Sequence, residues 1–285
     1  MILVTGAGGK TGQTLLGQLA RREMAARALV HRSSDVDAAM RAGAREALAG
    51  DFRSEADLEA AMQGVDAVYH ICPNMHPEEV RIGQAVLQAA KNAGVSHFIY
   101  HSVLHPQVSR MPHHWNKMLV EEMIFESGLP FTILQPCAYM QNMLGYWKGI
   151  ISDGVYALPY PVETRISVVD LEDVAEAAAR VLTAPGHNAA IYELAGPQAL
   201  SQAETAALLG EALGREVRAE QIDRGDWARQ VRAAGMADYA VNTLLAMFTY
   251  YERFGFEGNS NALGWLLGRP AHTLTHFIHR VIAGG

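Results

Sequence analysis

Apolar residues recur along this chain with two periods, and the two alternate. Short apolar runs at Met1 to Thr5, Arg27 to His31, Ala67 to Ile71, His97 to Ser102 and Phe131 to Gln135 predict strands. A weaker run at Ala44 to Ala49 predicts one more. Between them the period lengthens to that of a helix. Thr11 to Arg22 puts Leu15, Leu16 and Leu19 on one face, and Asp35 to Ala42 reads as a short helix. Ser54, with Asp57 three positions on, opens a third. Pro77 to Ala93 closes on Gly94, and Trp115 to Ser127 stops at Gly128. Strand and helix alternating at this spacing imply βαβ units and a parallel sheet covered on both faces.

The rhythm changes after Pro136. Tyr139 to Ile151 predicts a helix rich in Met, Trp and Tyr, and Gly154 to Pro161 a turn-rich stretch. Ser167 to Val169 and Ile191 to Ala195 read as strands, and Asp173 to Thr183 as a helix. Ser201 to Leu213 is a helix whose capping box is completed by Glu204, and from Asp226 onward the pattern is mostly helical. The expected division is a first domain over 1–145, with 164–195 rejoining its sheet. A smaller lobe then comprises 146–163 and 196–285. There is no internal repeat and no low-complexity tract.

Composition narrows the class. Of the 285 residues 49% are hydrophobic and 19% charged, enough apolar material for a large core and too little charge for a disordered chain. A net charge of −7 disfavours phosphate backbones, so no nucleic-acid partner is expected. Two cysteines build no disulfide framework and point to a reducing compartment. Met1 leads straight into an apolar strand with no basic segment before it, and no apolar run approaches the roughly 20 residues of a membrane helix. A cytoplasmic protein without a membrane partner is expected.

The chemistry begins at Thr5-Gly6-Ala7-Gly8-Gly9-Lys10-Thr11-Gly12, which follows a strand and opens a helix. Gly6, Gly9 and Gly12 stand three apart. Glycines here permit the turn, admit a pyrophosphate to the backbone and pack helix on strand. Gly8, Lys10 and Thr11 complete the cradle, where the helix N-terminus supplies donors and positive potential. A P-loop is excluded, since no Gly-Lys-Ser/Thr follows four spacer residues. At the end of the second strand, where an acid usually meets a free NAD ribose, stands Arg32. It is either a clamp for a 2′-phosphate, which favours NADPH over NADH, or a solvated loop residue. Asp51 either accepts from an adenine amino group, with Phe52 packing nearby, or is a turn acid leading a helix. Ile71-Cys72-Pro73-Asn74 leaves the fourth strand at the same edge, where backbone around Cys72 and Pro73 would flank ribose and nicotinamide.

These features resemble the short-chain dehydrogenase/reductase superfamily and, more closely, its NmrA-like branch. The resemblance rests on the glycine loop, Gly50-Asp51, the stretch from Gly94 to Ser102, and Lys117 with Glu121 and Glu122. It rests also on Ser127 to Pro136, Tyr139-Met140-Gln141-Asn142, and Val169 to Ala175. It runs to about Gly214. It implies an α/β fold with a Rossmann-type doubly wound parallel sheet that binds NAD(P), and a smaller, mostly helical C-terminal substrate lobe. The branch contains NADPH-dependent reductases of quinones, dyes and plant phenolics, and regulators that bind dinucleotide without known turnover.

The resemblance also implies catalytic positions. The superfamily pairs Ser with Tyr-x-x-x-Lys. Ser102 matches the serine and Lys117 the lysine, but His113 stands where the tyrosine would be. Lys117 either holds the ribose or substrate or is a surface lysine paired with Glu121. His113 is either a substitute proton donor or a solvated loop histidine beside His114. Pro136 borders the cofactor, and Tyr139, Met140 and Asn142 line a substrate pocket. Tyr139 is alternatively a replacement acid or a core aromatic. Trp115 and Trp147 either wall the site or simply pack, and the aromatic run from Phe248 to Phe256 is a core, a lid or an interface. His272, His276 and His279 share one helical face, read as a solvent-facing or interface stripe because no fourth ligand accompanies them; no metal is expected. Cys72 and Cys137 read as reduced packing thiols.

Two functions follow. One is an NADPH-dependent oxidoreductase passing hydride to a quinone or other conjugated carbonyl compound, with a small-molecule substrate and a monomeric or homodimeric state. The other is a non-catalytic NAD(P)-sensing regulator that binds a protein partner.

Overall fold

The structure, a computed structural model, describes residues 1–284. The chain divides into two compact units. The first comprises Met1–Gln107, His113–Gln135 and Val174–Tyr192, and the second Val108–Pro112, Pro136–Asp173 and the residues from Glu193 on.

The first unit is built on β1 (Ile2–Thr5), β2 (Ala26–Val30), β3 (Glu46–Ala49), β4 (Ala67–His70), β5 (His97–His101) and β6 (Phe131–Pro136). These strands pair in parallel, β1 lying between β2 and β4 with Ile2 opposite both Ala26 and Ala67. With β10 (Ala190–Leu194) beside β6, the sheet order is β10-β6-β5-β4-β1-β2-β3. The chain runs outward from β1 through β2 and β3, then returns to β1's other side at β4. That reversal between β1 and β4 is a topological switch point. β1 and β4 are buried throughout, as helix-covered parallel strands are. The helices are α1 (Lys10–Ala20), α2 (Val36–Arg41), α3 (Glu55–Met62), α4 (Glu79–Ala93) and α5 (Pro112–Glu126). Ser54 Oγ accepts from the Asp57 amide at 3.2 Å, the cap read from the sequence. Gly94 closes α4 at φ +65°, a conformation open to glycine because it lacks Cβ. The core packs Leu3, Leu29, Val68, Val86, Phe98 and Ile133.

The second unit differs from the sequence reading. Within 139–151, expected as one helix, lie the short strand β7 (Ala138–Tyr139), a 3₁₀ segment over Met140–Tyr146 and α6 (Trp147–Asp153). The turn-rich stretch 154–161 contains β8 (Val155–Leu158). β9 (Ile166–Val169) pairs with β7 and with β11 (Gln198–Leu200), so 164–173 does not rejoin the large sheet. Val174–Tyr192, through α7 (Leu171–Thr183) and into β10, does belong to the first unit. The boundary falls at Pro136 instead of 145 because β7 takes β9 as partner, with Ala138 opposite Val168. Gly196 is required here, since a Cβ would stand 2.1 Å from the Val168 carbonyl oxygen.

The remaining elements are α8 (Gln202–Leu213), β12 (Arg218–Gln221), which pairs with β8, α9 (Arg224–Ala233), α10 (Asp238–Phe254), α11 (Asn261–Leu267) and α12 (Leu274–Gly284). The Ser201–Glu204 capping box is present in full. Phe248, Tyr251 and Phe256 are core residues, Phe248 meeting Trp227 edge-on and Tyr160 at a tilt. Asp170 and Asp173 are fully buried and hold the C-terminal segment: Arg280 donates to Asp170 at 2.7 Å, and Arg269 and the His272 amide to Asp173 at 2.7 and 2.6 Å. No helix of the described residues is long and apolar enough to cross a membrane.

Candidate active site

The glycine loop lies at the switch point. Gly6 has φ +62°, and a Cβ there would stand 2.6 Å from the Ile71 carbonyl oxygen at the end of β4. A Cβ on Gly12 would stand 2.5 Å from Ala7 Cα. These glycines let the loop press against β4 and α1 press against the loop. Gly9 is the N-cap of α1, offers no side-chain cap, and no acid follows in the first turn. The amides of Lys10, Thr11 and Gly12 open the helix and have no intrahelical acceptors; the first helical amide bond runs from Gln13 to Gly9. Gly9 and Lys10 are exposed. An uncapped, acid-free helix start behind glycine backbone is a cradle fitted to a pyrophosphate.

Around the end of β2 and β3 the residues are already engaged. Arg32 is exposed, and its guanidinium donates to both carboxylate oxygens of Asp35 at 2.9 and 3.1 Å. Asp35 also lies against the loop: a Cβ on Gly8 would stand 3.2 Å from its Oδ2. An acid is therefore present in this corner, three residues beyond where the sequence reading looked for one. Asp51 receives the Arg53 side chain and amide, and these hydrogen bonds hold its carboxyl at about 2. Its carboxylate is turned to Arg53. Phe52 is buried in the core, edge-on to His70 at 6.2 Å.

Beyond β4 and β5 lies a buried cluster of charge. The helix α5 begins at Pro112, three residues earlier than the hydrophobic pattern predicts, so His113 and Lys117 sit one turn apart on it. Both are buried, which excludes the surface-lysine and solvated-histidine readings. Lys117 does not pair with Glu121. Its Nζ donates to Glu79 Oε1 at 2.6 Å and to the His101 carbonyl at 3.1 Å, and it lies 5.1 Å from the centre of the Tyr100 ring. An ammonium has three hydrogens, and two of them are engaged in these hydrogen bonds. The Tyr100 hydroxyl also donates to Glu79 Oε1, at 3.1 Å, and His113 Nδ1 lies 3.4 Å from Oε2. Burial pushes the Glu79 carboxyl up, but Lys117 and His113 outweigh burial and bring it down to about 2.

Ser102 is buried, and its hydroxyl donates to Glu121, which also accepts from Gln135 Nε2 at 3.0 Å through both oxygens. Its one hydrogen is spent tying β5 to α5, so in this arrangement it offers a substrate oxygen no proton. Cys72 is buried and burial pushes its thiol up, the neighbouring Glu79 adding to the effect; Pro73 is exposed. The cluster is linked back to the glycine loop. Thr5 Oγ1 meets His70 Nδ1 at 2.8 Å, and His70 stacks on Tyr100 at 5.8 Å.

Pro136, Tyr139, Met140 and Asn142 fall in the second unit. Pro136 and Met140 are buried, Tyr139 is half-buried and Asn142 is exposed. The 3₁₀ segment that carries Met140 and Asn142 is anchored by Gln141, which donates to Asp170 at 2.8 Å and accepts from the Leu171 amide. His272 is no free stripe residue: its Nδ1 lies 2.7 Å from Asp173, and its ring stacks on His276 at 4.5 Å.

Glu79 and Asp35 escaped the sequence reading. Asp35 had a usable signal, its i,i+3 spacing from Arg32. Glu79 had only its place in the first turn of α4; its partner Lys117 is 38 residues away.

Known proteins resemble this chain over nearly its whole length. Over 279 residues the chain is 33% identical to an NAD(P)H azoreductase from Xenophilus azovorans, covering 97% of this chain and 96% of that one. It is 29% identical over 280 residues to quinone oxidoreductase 2 of Escherichia coli K12, covering 98% and 97%. The crystal structure of an Escherichia coli NADPH-dependent quinone oxidoreductase complexed with NADPH superposes with a TM-score of 0.87 at 27% identity, over 99% of this chain and 100% of that one. The family model described as NmrA-like matches residues 1–277. With a parallel sheet reversing at β1, a glycine cradle at that reversal and a match across nearly its whole length, the chain belongs to the NmrA-like family.

Proposed function

We propose that the protein is an NADPH-dependent oxidoreductase that passes hydride to a quinone or another conjugated acceptor. The observation that carries this reading is the glycine cradle at the β1/β4 switch point, in the same unit as the buried ammonium of Lys117. Its likeness to an azoreductase and to an NADPH-bound quinone oxidoreductase supports it.

The amides of Lys10, Thr11 and Gly12 would hold the pyrophosphate, with backbone at Cys72 and Pro73 along the ribose and nicotinamide. Arg32 would meet the 2′-phosphate. Lys117, fixed by Glu79 and the His101 carbonyl, would give its third hydrogen to a ribose hydroxyl or a substrate oxygen. The cofactor supplies hydride when bound. A quinone acceptor demands little of the protein, because the charge it gains is already delocalised over the ring. Tyr139, Met140 and Asn142 are the proposed substrate-lining residues, and the substrate is a small molecule.

The test is NADPH oxidation by purified protein across quinones, azo dyes, enones and aldehydes, with Lys117→Met beside it. Turnover of quinones, with kcat/KM reduced about 10- to 100-fold in the variant, the value of one charged hydrogen bond, is the expected result. NADPH binding without turnover of any acceptor would overturn the reductase reading in favour of a dinucleotide sensor.

A further inference from the structure

Two buried polar atoms at the site lack a hydrogen bond, and they face each other. Glu79 Oε2 and His113 Nδ1 are both without a hydrogen-bonding partner, 3.4 Å apart. Unsatisfied buried groups are rare enough that each demands a cause, and poised catalytic groups are one such cause. The other oxygen of Glu79 already accepts from Lys117 and Tyr100, so the carboxylate is fixed with its free oxygen 3.4 Å from the imidazole nitrogen. The ring is fixed as well, on the first turn of α5 and edge-on to His114 at 6.0 Å.

Resting on the reductase reading, we propose that Glu79 is a positioning residue that makes His113 the proton donor of the reaction, in the place the superfamily gives to tyrosine. Glu79 selects the form of the ring that carries hydrogen on Nδ1, which leaves Nε2 for the substrate. Hydride adds two electrons and one hydrogen to the quinone, which becomes a hydroquinone anion. The Nε2–H bond of protonated His113 then breaks as an O–H bond forms on that anion. The imidazole is left neutral with its Nδ1 hydrogen on Glu79, and Nε2 is reprotonated from water. Lys117 keeps Glu79 ionised throughout. A second buried carboxylate, Glu121, cannot take this part, since Ser102 and Gln135 occupy it.

The experiment compares wild type, Glu79→Gln, Glu79→Asp and His113→Gln. In cofactor-free protein, imidazole ¹⁵N shifts report which ring nitrogen of His113 carries hydrogen. Wild type keeps hydrogen on Nδ1 whether or not Nε2 is protonated, Glu79→Gln shows a mixture of tautomers, and Glu79→Asp partial recovery. In steady state, Glu79→Gln and His113→Gln each lower kcat for a quinone about 100-fold, the usual worth of a general acid, and His113→Gln, which leaves the Glu79–Lys117 pair in place, changes KM and NADPH affinity less than about threefold. The double variant is no worse than either single one. An unchanged tautomer in Glu79→Gln, or full kcat in His113→Gln, overturns the proposal while leaving the reductase intact. His113→Gln keeps the Glu79–Lys117 pair, so this arm stands even where Glu79→Gln fails to fold. A wild type that binds NADPH and reduces nothing overturns the reductase reading, and this inference with it.

Discussion

Arg32 and Asp35 share one corner of the cofactor cradle and pull it in opposite directions. A 2′-phosphate must compete with Asp35 for the guanidinium and sit beside a second negative charge, whereas a free ribose hydroxyl can donate to the carboxylate. Arg32→Ala is expected to weaken NADPH about tenfold and to leave NADH nearly unchanged. Asp35→Asn is expected to tighten NADPH and weaken NADH. Fluorescence titration of both cofactors checks this, and equal losses for both in Arg32→Ala would remove the 2′-phosphate role. The position of Arg32, past the end of the second strand, was legible in the sequence. Its partner was not, because the turn over Ser33–Asp35 that brings the two together leaves no mark in the hydrophobic pattern. The same holds for Asp51, whose carboxylate is claimed by Arg53 two residues on.

At the level of elements, the first turn of a helix matters most. α1 starts without a cap and so keeps its amides for a ligand; α5 starts at Pro112 and so carries His113; α4 starts at Glu79 and so delivers a carboxylate beneath β5. Helix interiors were legible from their period, but their starts are set by packing and by prolines. Gly12 binds α1 to the loop most tightly. Gly12→Ala is expected to cost about 1–3 kcal/mol by overpacking against Ala7 and Gly6, and to weaken NADPH by shifting the helix start. Urea unfolding and cofactor titration of the same variant measure the two effects, and unchanged values in both would show that the loop has room to spare. The C-terminal elements were harder to read, because β7, β9 and β11 are short and gain stability from one another.

Across the molecule, buried titratable groups make stability depend on pH. Burial brings His70, His101 and His114 down to about 3 in the folded state, against 6.5 for the free side chain. The unfolded chain therefore takes up protons below 6.5 that the folded chain refuses. Each histidine's contribution is complete above 6.5 and shrinks as pH falls toward 3, by about 1.4 kcal/mol per pH unit. Glu79, at about 2 folded and 4.5 unfolded, adds stability that is present above 4.5 and lost as pH falls through 2. The urea midpoint is expected to drop from below pH 6.5 and more steeply below 4.5; a flat midpoint from pH 7 to 5 would contradict this. What could be read from residues alone was what short-range pattern encodes: the strand–helix alternation of the first 135 residues, the glycine loop in its strand-to-helix setting, and Arg32 and Lys117 at strand ends or one helix on. What required the folded chain was every partnership between distant residues. Glu79 with Lys117, Glu121 with Ser102 and Gln135, Thr5 with His70, and β9 with β7 join positions 14 to 65 residues apart. Their spacing has no fixed period, so such contacts become visible only when the sheet brings its strand ends to one edge.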